Sequence, residues 1–281
     1  MLITGRKVSL SADTLNPEMA DPDCNSCISV CSFNCRSFKN SLPSVHKLCS
    51  EHDIVLLQEH WLIPNDLHML NTAHADFLSF GQSAVDLTSD ILVGRPYGGT
   101  AILYRKCLAG KIKLLITDES RITGITIDTS SGPLLLLNVY MPTNYNDAIS
   151  LESYTDCLSK LQALILDSDA IHTLIAGDFN CSPGSRFFPD FIKFSVDNEL
   201  LTSDLNRLND IVTYISDDGS KMSWVDHILC SSAIDKLITS VNILSDVIVS
   251  DHRPVSFSVH CDISRNSCFV TPSHSDIIVP Q

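Results

Sequence analysis

Long apolar runs are absent from this 281-residue sequence. The longest, Pro133 to Val139, is too short to cross a bilayer as a helix, which takes about 20 apolar residues. The chain also lacks a charged start followed by an apolar segment, the pattern of a secretory signal. We therefore expect a protein that does not act in a membrane and is not secreted.

An excess of basic residues is also missing. Lys and Arg number 19 against 33 Asp and Glu, which gives a formal net charge of −14. Proteins that bind nucleic acid tightly by themselves are usually basic, because their cations replace the counterions of the phosphates. The balance therefore argues against tight, unassisted binding to nucleic acid. It is compatible with a metal-dependent enzyme, in which acidic residues hold the cation that contacts a phosphate.

The cysteines lack a recognisable pairing. They number 11 and are scattered along a chain long enough to fold without disulfides, which favours reduced thiols in the cytoplasm or nucleus. Cys24, Cys27, Cys31 and Cys35 suggest a zinc site as one interpretation. However, no second CxxC or histidine pair completes a known zinc spacing, and Cys31 and Cys35 lie on or just past a predicted strand. Buried thiols are the favoured interpretation.

No internal repeat and no linker rich in Gly, Pro or Ser divides the chain, so a single domain is expected. We place this domain at residues 26–262. The polar ends, residues 1–25 and 263–281, are expected to be disordered.

Short apolar segments separated by polar loops make up most of the sequence. Many are apolar at consecutive positions, as in strands that are buried on both faces. Helical spacing is clearest from Ala148 to Leu166, with shorter candidates at Leu42 to Cys49, Asn65 to Ala73 and Phe187 to Asp197. Because strands outnumber helices and alternate with them, the pattern predicts an α/β sandwich of two packed sheets with helices outside. The predicted strands are Ile28–Phe33, Ile54–Leu57, Thr100–Tyr104, Ile122–Ile127, Leu134–Tyr140, Thr173–Ala176, Trp224–Leu229, Val241–Leu244 and Val255–Val259.

Polar side chains that can bind metals or phosphates stand at or near the ends of several predicted strands. Each of them alone has a structural explanation, since Asp and Asn favour turns and a histidine is often part of a core. Taken together, at the edge of a sandwich, they would line one cleft. They are Asn34, Glu59, Tyr140, Asp178, Asn180, Asp226, His227, Asp251 and His252.

Seven blocks of the sequence resemble, in order, those of the endonuclease/exonuclease/phosphatase superfamily: FNCRS, LLQEHWL, GGTAILYR, NVYMPTN, AGDFN, SWVDHIL and SDHRPV. The similarity is greatest to the apurinic-type endonuclease domain of non-LTR (LINE-like) retrotransposons and covers about Ser26 to Cys261. It implies a four-layer α/β/β/α sandwich. It also implies hydrolysis of a phosphoester with Mg²⁺ or Mn²⁺.

The resemblance and the chemistry of phosphate hydrolysis together suggest three metal-binding positions. Glu59 is expected to be the principal metal ligand, because a hard carboxylate suits Mg²⁺. Asn34 matches a position that supports the metal, and Asp251 is a further acidic contact. Relatives often carry an acidic or amide residue where this chain has Arg36, a cation that repels metals but binds phosphate.

Catalytic roles follow in the same way. Asp178 is expected to orient or deprotonate the attacking water, and Asn180, two residues on, to hold a phosphate oxygen. His252 is expected to contact the phosphate as a cation, oriented by Asp226, while His227 beside Asp226 is structural. Tyr140 would donate its hydroxyl to the phosphate or the leaving group. The expected substrate contacts are Asn180, Tyr140, Thr213, Arg36, Thr143 and Ser250. Contacts to backbone phosphates are left open for Arg95, Arg105, Arg121 and Arg186.

Three functions fit the sequence to different degrees. The favoured one is a DNA endonuclease that nicks one strand, with DNA and a reverse transcriptase of the same element as partners, acting as a monomer. The second is a phosphoesterase of the same fold that acts on a lipid or inositol phosphate, which the net charge supports. The third, a binding module without activity, is disfavoured because Glu59 and His252 are both present.

Overall fold

The computed structural model describes residues 27–85 and 94–263. The ends expected to be disordered lie outside these ranges with one exception. Ile263 is only 4% exposed and packs into the core, so the folded chain extends past residue 262.

Of the zinc candidates, Cys24 is not described, whereas Cys31 and Cys35 are completely buried among apolar side chains. No helix in the described ranges is long and apolar enough to span a membrane.

Two six-stranded mixed sheets form the centre of the fold, as predicted. The first has the strand order β13-β14-β1-β2-β4-β3 and the second β5-β6-β7-β8-β12-β9, with β10 and β11 as a separate hairpin. In chain order the strands are β1 (Cys27–Asn34), β2 (Ile54–Gln58), β3 (Phe77–Gln82), β4 (Thr100–Arg105), β5 (Ile112–Leu115), β6 (Ile122–Thr129), β7 (Gly132–Tyr140), β8 (His172–Asp178), β9 (Leu200–Thr202), β10 (Tyr214–Ile215), β11 (Met222–Ser223), β12 (Asp226–Ser231), β13 (Ile238–Ile243) and β14 (Val255–His260).

Helices cover the outer faces of both sheets. The α-helices are α1 (Phe38–Glu51), α2 (Ala148–Leu166), α3 (Phe188–Asp197), α4 (Ser203–Arg207) and α5 (Ser232–Asp235), and 3₁₀ helices span Pro64–Thr72 and Lys106–Lys111. The predicted helix at Asn65 to Ala73 is therefore a 3₁₀ helix. Helix α2 begins at its predicted residue because the Asp147 side chain accepts a hydrogen bond from the Ser150 amide over 2.7 Å.

The apolar runs of the strands divide between the layers by simple alternation. In β7, Leu134 and Leu136 point into the core between the sheets, while Leu135 and Leu137 point toward α2 and α3. A third apolar cluster joins the first sheet to α1 through residues such as Val45 and Leu48. The order helix, sheet, sheet, helix confirms the four-layer sandwich.

Several strands were not predicted, and β12 begins two residues later than expected. The missed strands β3 and β5 have partly exposed sequences with little apolar alternation, and β9 to β11 have two or three residues each. All five strands form because they pair with neighbouring strands, and not because of a hydrophobic pattern in their own sequences.

Gly177 is required at the end of β8. Its φ is +152°, and a Cβ there would lie 2.1 Å from the Val139 carbonyl oxygen in the paired strand. We expect Gly177→Ala to lower the free energy of unfolding by about 3 kcal/mol, because it adds a backbone clash to conformational strain. Urea unfolding followed by circular dichroism measures the free energy of unfolding.

Gly184→Ala is the matched control: Gly184 also has a positive φ, but nothing lies within 4 Å of its Cβ position. Equal losses for the two variants would contradict the steric explanation.

Candidate active site

The carboxyl ends of β1 and β2 bring Asn34 and Glu59 together. The strands are parallel, and Asn34 pairs with Gln58, the last residue of β2. Past the sheet the two segments stay joined, because the Cys35 amide donates to the Gln58 carbonyl and the Ser37 amide to the Glu59 carbonyl, each over 2.9 Å. Glu59 has a φ of 53°, which is costly for a residue with a side chain. This strain is a common property of residues at functional sites.

Asn34 is buried at the centre of the site and links the carboxylates of Glu59 and Asp178. Its amide nitrogen donates to Glu59 Oε1 over 2.9 Å and to Asp178 Oδ2 over 3.0 Å. Its Oδ1 accepts from the Arg36 amide over 3.2 Å, which fixes the orientation of the side chain. Trp61 Nε1 donates to the other oxygen of Glu59 over 3.0 Å. The Glu59 and Asp178 carboxylates therefore flank a single nitrogen atom.

The second sheet supplies Asp178, Tyr140 and Asn180. Strands β7 and β8 are parallel, so Tyr140 and Asp178 are paired at their common carboxyl edge. Asn180 has a φ of 49°, and its amide donates to Asp178 Oδ1 over 2.9 Å. Its side-chain nitrogen donates to the Met141 carbonyl over 2.8 Å and more weakly to Asp178 Oδ2 over 3.4 Å.

His252 lies between two buried aspartates. Because β12 is antiparallel to β8, Asp226 pairs directly with Asp178. His252 Nδ1 donates to Asp226 Oδ2 over 2.9 Å, and its Nε2 lies 3.7 Å from Asp178 Oδ2. The ring of Tyr214 meets the imidazole edge-on at 5.2 Å between centroids. Asp178, Asp226 and His252 offer ligand atoms that all lie within 4.8 Å of one another.

Burial and the clustering of charges perturb the ionisation of this site. Burial alone would lower the pKa of His252, but Asp226 and Asp178 raise it to about 10, so the ring is a cation at neutral pH. Burial raises the pKa of Asp178 to about 7, although His252 opposes the shift. Burial and the nearby Glu59 and Asp178 also raise the pKa of Tyr140, which stays a neutral hydroxyl. Shifts of this kind are frequent at catalytic sites.

The sequence profile of the Endonuclease/Exonuclease/phosphatase family matches residues 31–252, the interval that holds every residue of this cluster. The chain belongs to that family. It is therefore related to nucleases and phosphatases that hydrolyse phosphoesters. No curated protein sequence matches the chain with significance.

Solved structures of nucleases share the fold of this family member. The 3′ phosphatase NExo from Neisseria, bound to a product DNA hairpin, has a TM-score of 0.64 at 18% identity and covers 82% of this chain and 98% of its own. The AP endonuclease LMAP from Leishmania major gives 0.66 at 14% identity and covers 85% and 89%. The endonuclease domain of TRAS1, a telomere-specific non-LTR retrotransposon, gives 0.60 at 15% identity and covers 84% and 100%.

A cleft of about 380 Å³ exposes the cluster to solvent. It brings together seven of the residues predicted for the site, including Thr143, which lies between β7 and α2. These seven are Glu59, Tyr140, Thr143, Asp178, Asn180, Asp251 and His252. Asn34 and Asp226 lie directly behind them.

Asn34 supports the two carboxylates that flank it. It presents its amide nitrogen to Glu59 and to Asp178. This arrangement orients both carboxylates, and the metal-binding role expected of Asn34 stays a prediction.

Arg36 and Asp251 compensate each other. The Arg36 guanidinium makes two hydrogen bonds with Asp217, of 2.6 and 2.9 Å, and lies 3.3 Å from Asp251 Oδ2. It borders a different surface groove from the one that holds His252. The two terminal nitrogens of Arg36 bind Asp217, and the substrate contact expected of Arg36 stays a prediction. Asp251 still faces the cleft, but an ion pair already offsets its charge.

Thr213 and Ser250 support the site from behind. Thr213 is completely buried, and its hydroxyl accepts hydrogen bonds from the amides of Val225 (3.1 Å) and Asp226 (3.2 Å). The Ser250 hydroxyl donates to the Asn34 carbonyl over 2.8 Å and accepts from the His252 amide over 3.2 Å. Both hydroxyls hold catalytic candidates in place, and the substrate contacts expected of the two residues stay predictions.

His227 lies outside the cleft, as expected. It is fully buried, with Nδ1 donating to Asp204 Oδ2 over 2.7 Å and Nε2 to the Cys181 carbonyl over 2.8 Å. Burial alone would lower its pKa, but Asp204 raises it overall, so the ring acts as a double donor. It thereby fixes the loop that follows Asn180.

Trp61 and Asn138 are parts of the site that sequence reasoning missed. Trp61 holds Glu59, and its position two residues after Glu59 was the available signal. Asn138 lies under the cleft between the sheets, where Gln58 Nε2 donates to its Oδ1 over 2.6 Å and its Nδ2 donates to the Leu57 and Ala101 carbonyls. A lone Asn inside an apolar strand was the only sequence signal for that contact.

Proposed function

We propose that this chain is a divalent-metal-dependent phosphodiesterase that nicks one strand of DNA. The observation that carries the proposal is the convergence of Glu59, Asp178 and the His252–Asp226 pair on Asn34 in one open cleft. Such a set combines a candidate metal ligand, a base with a pKa near neutrality and a cation for the phosphate.

The environment of Glu59 fits a divalent cation. Its two carboxylate oxygens accept hydrogen bonds from neutral groups only, Asn34 Nδ2 and Trp61 Nε1. Within residues 27–85 and 94–263, no basic side chain forms an ion pair with it. A half-buried, uncompensated carboxylate that faces a cleft is a suitable ligand for Mg²⁺ or Mn²⁺, with Asp251 as a further contact. When bound, the ion would neutralise phosphate charge and stabilise the leaving oxygen.

The remaining residues account for the attack itself. Asp178, deprotonated above about pH 7, accepts a proton from a water molecule. At the same time the water oxygen bonds to phosphorus, and the bond between phosphorus and O3′ breaks. His252, held as a cation by Asp226, stabilises the added negative charge on the phosphate. The neutral Tyr140 hydroxyl donates to the phosphate or to the departing oxygen. The products would carry a 3′-hydroxyl and a 5′-phosphate.

DNA is the proposed substrate because relatives with this fold include an enzyme bound to a DNA hairpin, an AP endonuclease and a retrotransposon endonuclease domain. The likeness to TRAS1 supports an origin in a non-LTR element. We further propose that a reverse transcriptase of the same element is the partner that supplies basic surface, and that the chain acts as a monomer in the nucleus or cytoplasm.

Relaxation of supercoiled plasmid is the direct test. The purified chain is expected to convert supercoiled DNA to open circles with Mg²⁺ and to leave it unchanged with EDTA. Glu59→Ala and His252→Ala, purified identically, exclude a contaminating nuclease, and Lys193→Ala, on the outer face of α3, is the control for an unrelated surface change. Absence of nicking, with phosphate release from a lipid or inositol phosphate instead, would overturn the choice of substrate.

A further inference from the structure

A second, larger cleft of about 550 Å³ opens beside the catalytic one. The two clefts share Glu59, Tyr140 and Thr143 as lining residues. A substrate whose phosphate lies at Asp178 and His252 therefore extends directly into this second cleft. Its volume is in the range of small-ligand pockets.

Two exposed aromatic side chains line this second cleft. Tyr97 is 61% exposed and Tyr145 is 74% exposed, although a tyrosine ring stabilises a core by burying a large apolar area. Within residues 27–85 and 94–263, neither ring packs against another aromatic ring or an arginine. Their faces are therefore available to a ligand.

The backbone under each tyrosine is held in place. Gly98, next to Tyr97, has a φ of +60°, and its carbonyl accepts from the Trp61 amide over 3.0 Å. The Tyr145 amide donates to the Ser150 hydroxyl over 3.4 Å at the start of α2. The rings thus stand on anchored segments, which lowers the entropy cost of binding.

The other lining groups favour a flat ligand with polar edges over an acyl chain. Ser120, Arg121, Asp147 and Ser153 place hydrogen-bond donors and acceptors around the rings. Aromatic rings bind any nucleobase by stacking, without sequence readout. A chain of net charge −14 also needs a source of nucleic-acid affinity other than cations.

We propose that Tyr97 and Tyr145 form a stacking subsite for an unpaired nucleobase that neighbours the scissile phosphate. The inference rests on the proposed function, because it takes the phosphate to lie at Asp178 and His252. An unpaired base is required because a stacked and paired base has no free face. The subsite selects DNA that is locally open over duplex that is fully paired.

The test compares a fluorescent single-stranded hexanucleotide with the same strand carrying tetrahydrofuran abasic residues throughout. The two probes have equal charge, so differences in anisotropy titrations report on the bases alone. All proteins carry Asp178→Asn to prevent turnover. We expect the otherwise unaltered chain to bind the base-containing probe at least tenfold more tightly. The double substitution Tyr97→Leu with Tyr145→Leu should reduce this preference to about twofold or less.

Two further variants separate stacking from other effects. Tyr97→Phe with Tyr145→Phe retains both rings and should keep the preference. Leu166→Ala removes an exposed apolar side chain at the far end of α2 and controls for general surface changes. Circular dichroism melting of each variant checks that the fold is intact.

The proposal is overturned if the leucine variant keeps the tenfold preference, if the unaltered tyrosines give none, or if neither probe binds. Binding of phosphatidylinositol vesicles in place of the oligonucleotides would likewise overturn it. Because turnover is not needed, a base preference that depends on the tyrosines in a chain that does not nick plasmid would locate the failure in the proposed chemistry and not in the subsite.

Discussion

Asp178→Asn is expected to lower the rate of plasmid nicking by about 10³-fold while leaving DNA binding within a few-fold of normal. The substitution keeps the shape of the side chain but removes the group that accepts a proton from water. General base catalysis contributes on the order of 10² to 10⁴ in rate. The Asp178 carboxylate is 1% exposed, and burial raises its pKa to about 7. Because solvent hardly reaches this position, few other groups can act as the base in its place.

The measurement separates chemistry from folding and from binding. Initial rates are taken from the loss of supercoiled plasmid, and affinity from anisotropy of a labelled duplex. The carboxamide of the Asp178→Asn variant has one oxygen, so it cannot accept from both Asn34 Nδ2 and the Asn180 amide as the carboxylate does. A stability loss of about 1–3 kcal/mol is therefore expected as well. A variant that is folded at the assay temperature and still nicks at more than a tenth of the normal rate would exclude Asp178 as the base.

Sequence patterns predicted the layers of the fold because the layers follow from local rules. The alternation at Leu134 to Leu137 separates inner from outer core, and the spacing in α2 marks its buried face. Polar residues at strand ends indicated one shared cleft, and the resemblance to a family supplied the roles expected of Asn34, Glu59 and His252 in it. Their separation along the chain reaches 218 residues, which no periodicity can bridge.

Contacts inside the site could not be predicted because they depend on side-chain geometry. The sequence places Arg36 near the metal site, but only the fold shows that Asp217, 181 residues away, binds both of its terminal nitrogens. Thr213 has the residue type of a substrate contact, yet its burial makes it a support for Asp226. The expected roles of Glu59 and Asp178 stay predictions that the variants Glu59→Ala and Asp178→Asn test, and the expected role of Asn180 stays a prediction.

Asp226→Asn is expected to reduce nicking by on the order of 10²- to 10⁴-fold, and the loss should grow with pH. Asp226 makes the largest contribution that raises the pKa of His252, which reaches about 10. Without that carboxylate, burial still favours the neutral ring and only Asp178 and Asp251 oppose it, so the pKa of His252 falls from about 10 toward its ordinary value near 6.5. His252 is then a cation only at lower pH.

The sign of the effect follows from which form is active. Wild-type His252 stays largely protonated as the pH rises from 7.5 to 9.5, whereas the ring of the variant loses its proton at a lower pH than the wild-type ring does. Asp178, with a pKa of about 7, is already deprotonated here in the wild type. The ratio of variant to wild-type rates is therefore expected to be lowest in this window and to recover as the pH falls toward 6.

The pH dependence of initial nicking rates measures this ratio. Asp217→Asn is the matched control, since that carboxylate is 73% exposed and pairs with Arg36 at the surface. A ratio that does not change between pH 6 and 9.5 would contradict this account, because either Asp226 does not hold His252 as a cation or the charge of the imidazole has no part in the reaction.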